Sequence, residues 1–276
     1  MLQDEYTPKH DGPLGDGPEN GMSAGPIDRI TILVHVDDPL VFASNLNDEC
    51  WGHTLMERRF ITKGRSFLTP SDPMDFESIR ITLDEEGVLR LDNRDKIQKY
   101  LEMAGMADCN PASQPITKQL IAQIGEQREQ LYGPAQKEQF QREVGQLRWL
   151  ADTTHPLLAP AASILGSFMS GPCEGCLEAT HHAMRWLKGA MDACLVRDPT
   201  QPPAIQVSSD ADVAGLYAEL GEVRSRTGYW ITYSGVAIPR SGLTRSQQRT
   251  KHQELPKKEI ITLKVTKKGN KSKNFT

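Results

Sequence analysis

The chain has 276 residues, 38% of them hydrophobic and 25% charged, with a formal net charge of -4. No apolar run reaches the roughly 18–20 residues that span a bilayer, and residues 1–30 are polar and rich in Gly and Pro, unlike a secretory signal. These features argue against secretion and membrane insertion, and an intracellular chain, cytoplasmic or nuclear, is expected. The five cysteines are an odd number in a long chain, which fits a reducing compartment better than a disulfide framework. Charge is unevenly spread. Residues 240–276 carry eleven Lys/Arg against Glu254 and Glu259, a net of +9, which leaves -13 for the rest. A free-standing nucleic-acid binder usually has a basic folded part. Here the body is acidic and only the end is basic.

In chain order, residues 1–29 read as loop, with Gly-Pro pairs at 12–13, 17–18 and 25–26. Residues 30–36 are β-branched and apolar, Asp37-Asp38 interrupts them, and Leu40 to Ala43 resumes, the pattern of a hairpin with an acidic tip. Residues 47–60 are expected to be helical. Alternation from Ser78 to Leu83, an acidic turn ending in Gly87, and alternation from Val88 to Leu91 predict a second hairpin. Asn93 stands where it can cap a helix over residues 94–103, with Ile97, Tyr100, Leu101 and Ala104 on one face. Residues 111–119 and 199–203 read as linkers. Between them, three apolar stripes at helical spacing run through Phe140 and Leu147, Ile164 and Leu165, and Met184 and Leu187. Residues 205–209 and 228–233 are strand-like. Trp149, Trp186 and Trp230 are expected in the core.

Several ordered segments carry a family resemblance. Val34-His35-Val36-Asp37-Asp38 resembles a Tyr-Val-Asp-Asp hairpin, and residues 74–79 resemble a Phe-Leu-Gly-Ile strand. Gly105-Met106, Asp108-Cys109 and Pro111 follow a helix as in that family. Val144-Gly145 with Thr153 to Pro156, and Arg185-Trp186-Leu187-Lys188-Gly189, match two further helical blocks. Ser209-Asp210-Ala211-Asp212 with Arg224 to Tyr229, and Gln248 to Thr250 followed by Glu259, match two more. Together they resemble the polymerase region of a copia-type LTR retrotransposon, over residues 30–263. The resemblance implies an α+β fold. A partial reverse-transcriptase palm with the thumb start (30–118) would lead into a helical thumb and connection (119–203). A partial RNase H-like α/β domain (204–263) and a basic tail (264–276) would follow.

Both implied activities use two divalent cations about 3.5–4 Å apart, and Mg²⁺ takes carboxylate oxygens. The resemblance makes Asp37 and Asp38 polymerase metal ligands and Asp210 and Glu259 RNase H metal ligands. Asp212 is a weaker substitute for Asp210. The implied partners are an RNA template, an RNA/DNA hybrid and the remainder of the Pol polyprotein. A third palm acid and the later RNase H acids have no match here, so the chain alone is expected to catalyse neither reaction. The alternative is a retained non-enzymatic protein binding RNA or another protein. Three departures carry structural expectations. Pro39 removes a donor from a strand that should pair. Glu77 stands where the family buries an apolar residue. Pro256 limits where a helix around Glu259 can begin. Cys173, Cys176 and His181 have the spacing of three ligands of a zinc knuckle, but residue 186, where the fourth would lie, is Trp186. An amphipathic helix over residues 177–191 is the expectation there.

Overall fold

The computed structural model describes residues 30–36, 38–43, 45–60, 66–129, 131–212, 215–221, 225–238 and 244–246. They fall into two compact units, divided between Ser66 and Phe67. The division lies inside the stretch expected as the palm, and the expected boundaries at 118/119 and 203/204 both lie within the second unit.

In the first unit, β1 (Ile30–His35) and β2 (Asp38–Ala43) pair antiparallel, His35 opposite Asp38 and Ile30 opposite Ala43. That register places Val36 at the tip of the hairpin. Val36 there has φ 53°, an unusual value for a β-branched residue. Pro39 sits opposite Val34 in the ladder. In a two-stranded sheet each strand is an edge, where a missing donor is tolerated. Helix α1 (Leu46–Glu57) follows, its first turn capped by the Asn45 side chain, which accepts from the Asp48 amide at 3.0 Å. Gly52 brings α1 against β1 and β2: a Cβ there would lie 2.9 Å from Val41 Cγ1.

The second unit opens with β3 (Met74–Phe76), β4 (Ile79–Leu83) and β5 (Leu89–Asp92), antiparallel throughout. The single strand expected over residues 74–79 is broken at Glu77-Ser78. Both residues have positive φ, 52° and 62°, in a two-residue turn joining Phe76 to Ile79. Glu77 is therefore exposed, and the expected buried carboxylate is corrected to a turn position. The β4–β5 turn is held by Asp84. Its carboxylate accepts from the Val88 amide at 2.8 Å and from Arg90 Nη1 at 2.7 Å, and those two bonds, the Arg90 one first, hold its pKa below the ordinary carboxylate value.

Five longer helices follow: α2 (Arg94–Met103), α3 (Lys118–Glu126), α4 (Pro134–Ala151), α5 (Ala159–Gly166) and α6 (Glu174–Gly189). The residues expected on their inner faces form one core, including Ile97, Leu101, Phe140, Val144, Leu147, Ile164, Leu165, Met184 and Leu187. α3 reaches into the stretch expected as a linker. Thr117 caps it by accepting from the Leu120 amide at 3.2 Å, and Ile121 and Ile124 are buried. β6 (Leu195–Arg197) returns to pair with β5, closing the order β3-β4-β5-β6. Thus the sheet joins residues on both sides of position 118.

A second sheet is built from β7 (Ile205–Asp212), β8 (Ser225–Tyr233), β9 (Val236–Ala237) and β10 (Thr244–Ser246), with order β10-β8-β7 and β9 also on β8. The short helix α7 (Tyr217–Leu220) lies between β7 and β8 and packs on α3, with Leu220 buried. Trp149 and Trp186 pack against the helical core, as expected. Trp230 is exposed on β8, contrary to expectation.

Asn93 does not cap α2 with its side chain. The Arg94 amide is served by Asp92 Oδ1 at 3.1 Å. Asn93 is instead buried and donates Nδ2–H to the Ser78 carbonyl at 2.7 Å, while its Oδ1 accepts from Thr154 and Thr153. It ties the β3–β4 turn to the end of α4.

Candidate functional site

Of the four acids singled out in the sequence, two are described. Asp38 begins β2 beside the hairpin tip and is exposed. Asp37 lies outside the described residues. Asp210 lies in β7 opposite Gly228 and is exposed, and Glu259 lies outside the described residues. Asp212, two residues after Asp210, shares its face of the strand. It faces Arg226 across the ladder, and its carboxylate occupies the space a Cβ on Gly215 would fill. Only glycine leaves room for that approach.

Mg²⁺ bound by protein carboxylates usually keeps several waters and takes one or two acids per ion, so a two-cation site needs several acids converging. Among the described residues, no three His, Cys, Asp or Glu side chains converge to hold a metal. The zinc-like spacing at Cys173, Cys176 and His181 is likewise not gathered into a metal site. Cys173 and Cys176 are buried with sulfurs 3.4 Å apart, but His181 Nε2 turns to Glu143 Oε2 at 3.4 Å, across α4 and α6. Trp186 meets His155 edge to face at 6.4 Å.

A cavity of about 360 Å³ opens between the β3–β4 turn, the end of β5 and α2. Arg80, Arg94, Lys96 and Lys99 line it beside Asp75, Asp92 and Asp95. Lys96 stands over Tyr100 and Trp149, 5.8 and 5.2 Å from the ring centroids. No sequence motif marks this cluster. Its local signal is Lys96, Lys99 and Tyr100 at helical spacing, and Arg80 joins them only through the fold. The cavity mixes both signs of charge, and Arg94 is already paired with Asp192 at 2.6 Å. It offers polar recognition of a small charged group more readily than a continuous phosphate track.

Beneath that wall, His155 is buried in a polar network. Its Nε2 lies 3.1 Å from the Ala190 carbonyl, which can only accept, so Nε2 carries the proton. Nδ1 is then unprotonated, 2.8 Å from Thr154 Oγ1, whose single proton serves either Nδ1 or Asn93 Oδ1. Burial lowers the His155 pKa against smaller opposing effects from the Ala190 carbonyl and the Asp92 charge. The site is structural in character: it joins α2, α4 and α6.

Comparison with known proteins adds one similarity. The chain is 28% identical, over 148 residues, to the Retrovirus-related Pol polyprotein from transposon TNT 1-94 of Nicotiana tabacum. The match covers 51% of this chain and 10% of that protein, so the chain spans about a tenth of its relative's length. This similarity supports a retrotransposon-derived chain related to Pol polyproteins. No protein-family model matches, and no solved structure matches. Among the described residues, no helix is long and apolar enough to cross a membrane.

Proposed function

We propose that the chain is a segment of a copia-type LTR retrotransposon Pol polyprotein, carrying the later part of a reverse-transcriptase palm, a helical connection and the opening of an RNase H-like domain. The similarity to the tobacco transposon Pol polyprotein carries this reading. The order of the matched motifs supports it. So do the β1–β2 hairpin, with Asp38 at the start of β2, and an antiparallel β7-β8-β10 ladder with Asp210 on its first strand. In the parent protein, Asp37 and Asp38 would hold Mg²⁺ for polymerisation on an RNA template. Asp210 and Glu259 would hold it for cleavage of an RNA/DNA hybrid. Each site needs acids beyond those matched here, so this chain by itself catalyses neither step.

The test is primer extension on an RNA template with Mg²⁺, with Asp38→Ala beside the unaltered chain. Equal, background-level extension in both is expected. Robust extension abolished by Asp38→Ala would contradict the reading of this chain as inactive alone.

A further inference from the structure

Two cysteines buried in the helical core meet at the start of α6, and the polymerase reading gives their contact no role. We propose that Cys173 and Cys176 are a redox-active dithiol, closed to an intrachain disulfide by a low-molecular-weight disulfide, with Cys173 the attacking sulfur and Cys176 the resolving one. This assignment stands independently of the polymerase reading.

Geometry carries the inference. Cys173 is the N-cap residue of the 16-residue helix α6 and Cys176 lies in its first turn. Their sulfurs are 3.4 Å apart. A disulfide bond is about 2.05 Å long, so the two sulfurs need approach each other by only about 1.35 Å to bond. Gly175 between them lets this turn press on α3: a Cβ there would lie 2.9 Å from Gln127 Oε1 and 3.2 Å from Ile124 Cα. The pair is thereby held in a fixed place under α3, where the Cys173 thiol donates to the Ile124 carbonyl at 3.7 Å, a bond given up when Cys173 ionises.

Electrostatics sets the order of attack. The contact with Cys176, in which either sulfur can donate, and the amides of the first turn hold Cys173 below the ordinary thiol range, at about 6. The same contact, together with burial, pushes Cys176 upward. As the N-cap residue, Cys173 faces the amides of the first turn, which makes it the sulfur better suited to carry the negative charge. Both thiols are covered, at 1% and 0% exposure. The cover includes the segment before α4, where Leu131 bridges to Cys173 and the Tyr132 amide donates to the Pro172 carbonyl at 2.9 Å. Leu131 itself is exposed, so this segment lies at the surface, and the proposed attack requires it to move aside from Cys173.

The chemistry balances. The Cys173 thiolate attacks one sulfur of glutathione disulfide, the S–S bond breaks and one glutathione thiolate leaves. Cys176 loses its proton to solvent and attacks Cys173 Sγ in the mixed disulfide, expelling the second glutathione. Two protein thiols lose two electrons and two protons, and one glutathione disulfide becomes two thiols.

The experiment uses the full chain. It is treated with glutathione disulfide under native conditions, its remaining thiols are alkylated in denaturant, and it is digested with trypsin. Residues 149–185 form one tryptic peptide that holds Cys173 and Cys176 and none of Cys50, Cys109 and Cys194. The expected product is that peptide two hydrogens lighter and unalkylated. In Cys176→Ser, glutathione should accumulate on Cys173; in Cys173→Ser, Cys176 should gain none. A peptide with both thiols alkylated, or a disulfide formed only after unfolding in urea, would overturn the proposal. Glutathione on Cys176 in Cys173→Ser would overturn the order of attack. If the variants do not fold, the native time course decides, because the transient mixed disulfide must then sit on Cys173.

Discussion

The Asn93 side chain donates to the Ser78 carbonyl at 2.7 Å, and this one bond fastens the β3–β4 turn to the foot of α2. Through its Oδ1 the same amide receives Thr153 and Thr154 from the end of α4. Removing it takes this donor from the Ser78 carbonyl and one acceptor from each hydroxyl, leaving Thr153 on the Trp149 carbonyl and Thr154 beside His155 Nδ1. Asn93→Ala should cost about 1–3 kcal/mol, read as a lower urea midpoint with an unchanged slope. A loss under about 0.5 kcal/mol, the range of ordinary surface substitutions, would show that the network does not hold these elements together.

His155 gives the stability of this network a pH dependence of definite sign. Burial lowers its pKa in the folded chain below the ordinary value of 6.5 that applies when the chain unfolds. Between those values the unfolded chain binds more protons, so stability falls as pH falls. The contribution is complete above about 6.5 and is lost progressively below it. Urea midpoints measured from about pH 7.5 to about pH 5 should therefore drop more steeply for the unaltered chain than for His155→Gln. Parallel curves would show that His155 contributes none of this dependence.

Phe140 is completely buried at the centre of α4. Phe140→Ala should cost about 3–5 kcal/mol through lost burial and the cavity left behind. Leu157, 61% exposed, is the control, and its alanine variant should stay within about 0.5 kcal/mol. Similar losses at both positions would contradict the placement of the core.

Glu77 and Ser78 occupy a turn whose positive φ values suit Asn and Gly better. The double substitution Glu77→Asn, Ser78→Gly should raise stability by about 0.5–1 kcal/mol, since it relieves left-handed strain. Loss of stability on thermal unfolding would show that the turn is held by side-chain contacts instead.

Legibility in the sequence follows the range of the interactions. The hairpin at residues 79–92 shows in alternating residues, that at 30–43 in an apolar β-branched run broken by an acidic pair, and α4 and α6 in apolar stripes, because these signals are local. The Glu77-Ser78 turn escapes the pattern because neither residue is a usual turn former at positive φ. α3 escapes it because Thr117, Ile121 and Ile124 follow directly on a Pro-rich stretch. β6 has only three residues, and its partner β5 lies about a hundred positions earlier. The role of Asn93 depends on Ser78 and Thr154, distant in sequence, so its local pattern points to a helix cap. The acids Asp38 and Asp210 are legible as motif residues, and the structure adds their strand positions and exposure. The Cys-x-x-Cys spacing is visible in the sequence, but the sulfur contact and its cover under α3 come only from packing.

The central claim, a segment of a retrotransposon Pol polyprotein running from palm to RNase H, is tested most directly by sequencing the genomic DNA and transcript on both sides of this reading frame. The account predicts polymerase coding sequence upstream, including a strand with a further Asp, and the later RNase H acids downstream, in frame or as recognisable interrupted remnants. Flanks that encode neither, with an intact gene of another kind continuing through this segment, would contradict it.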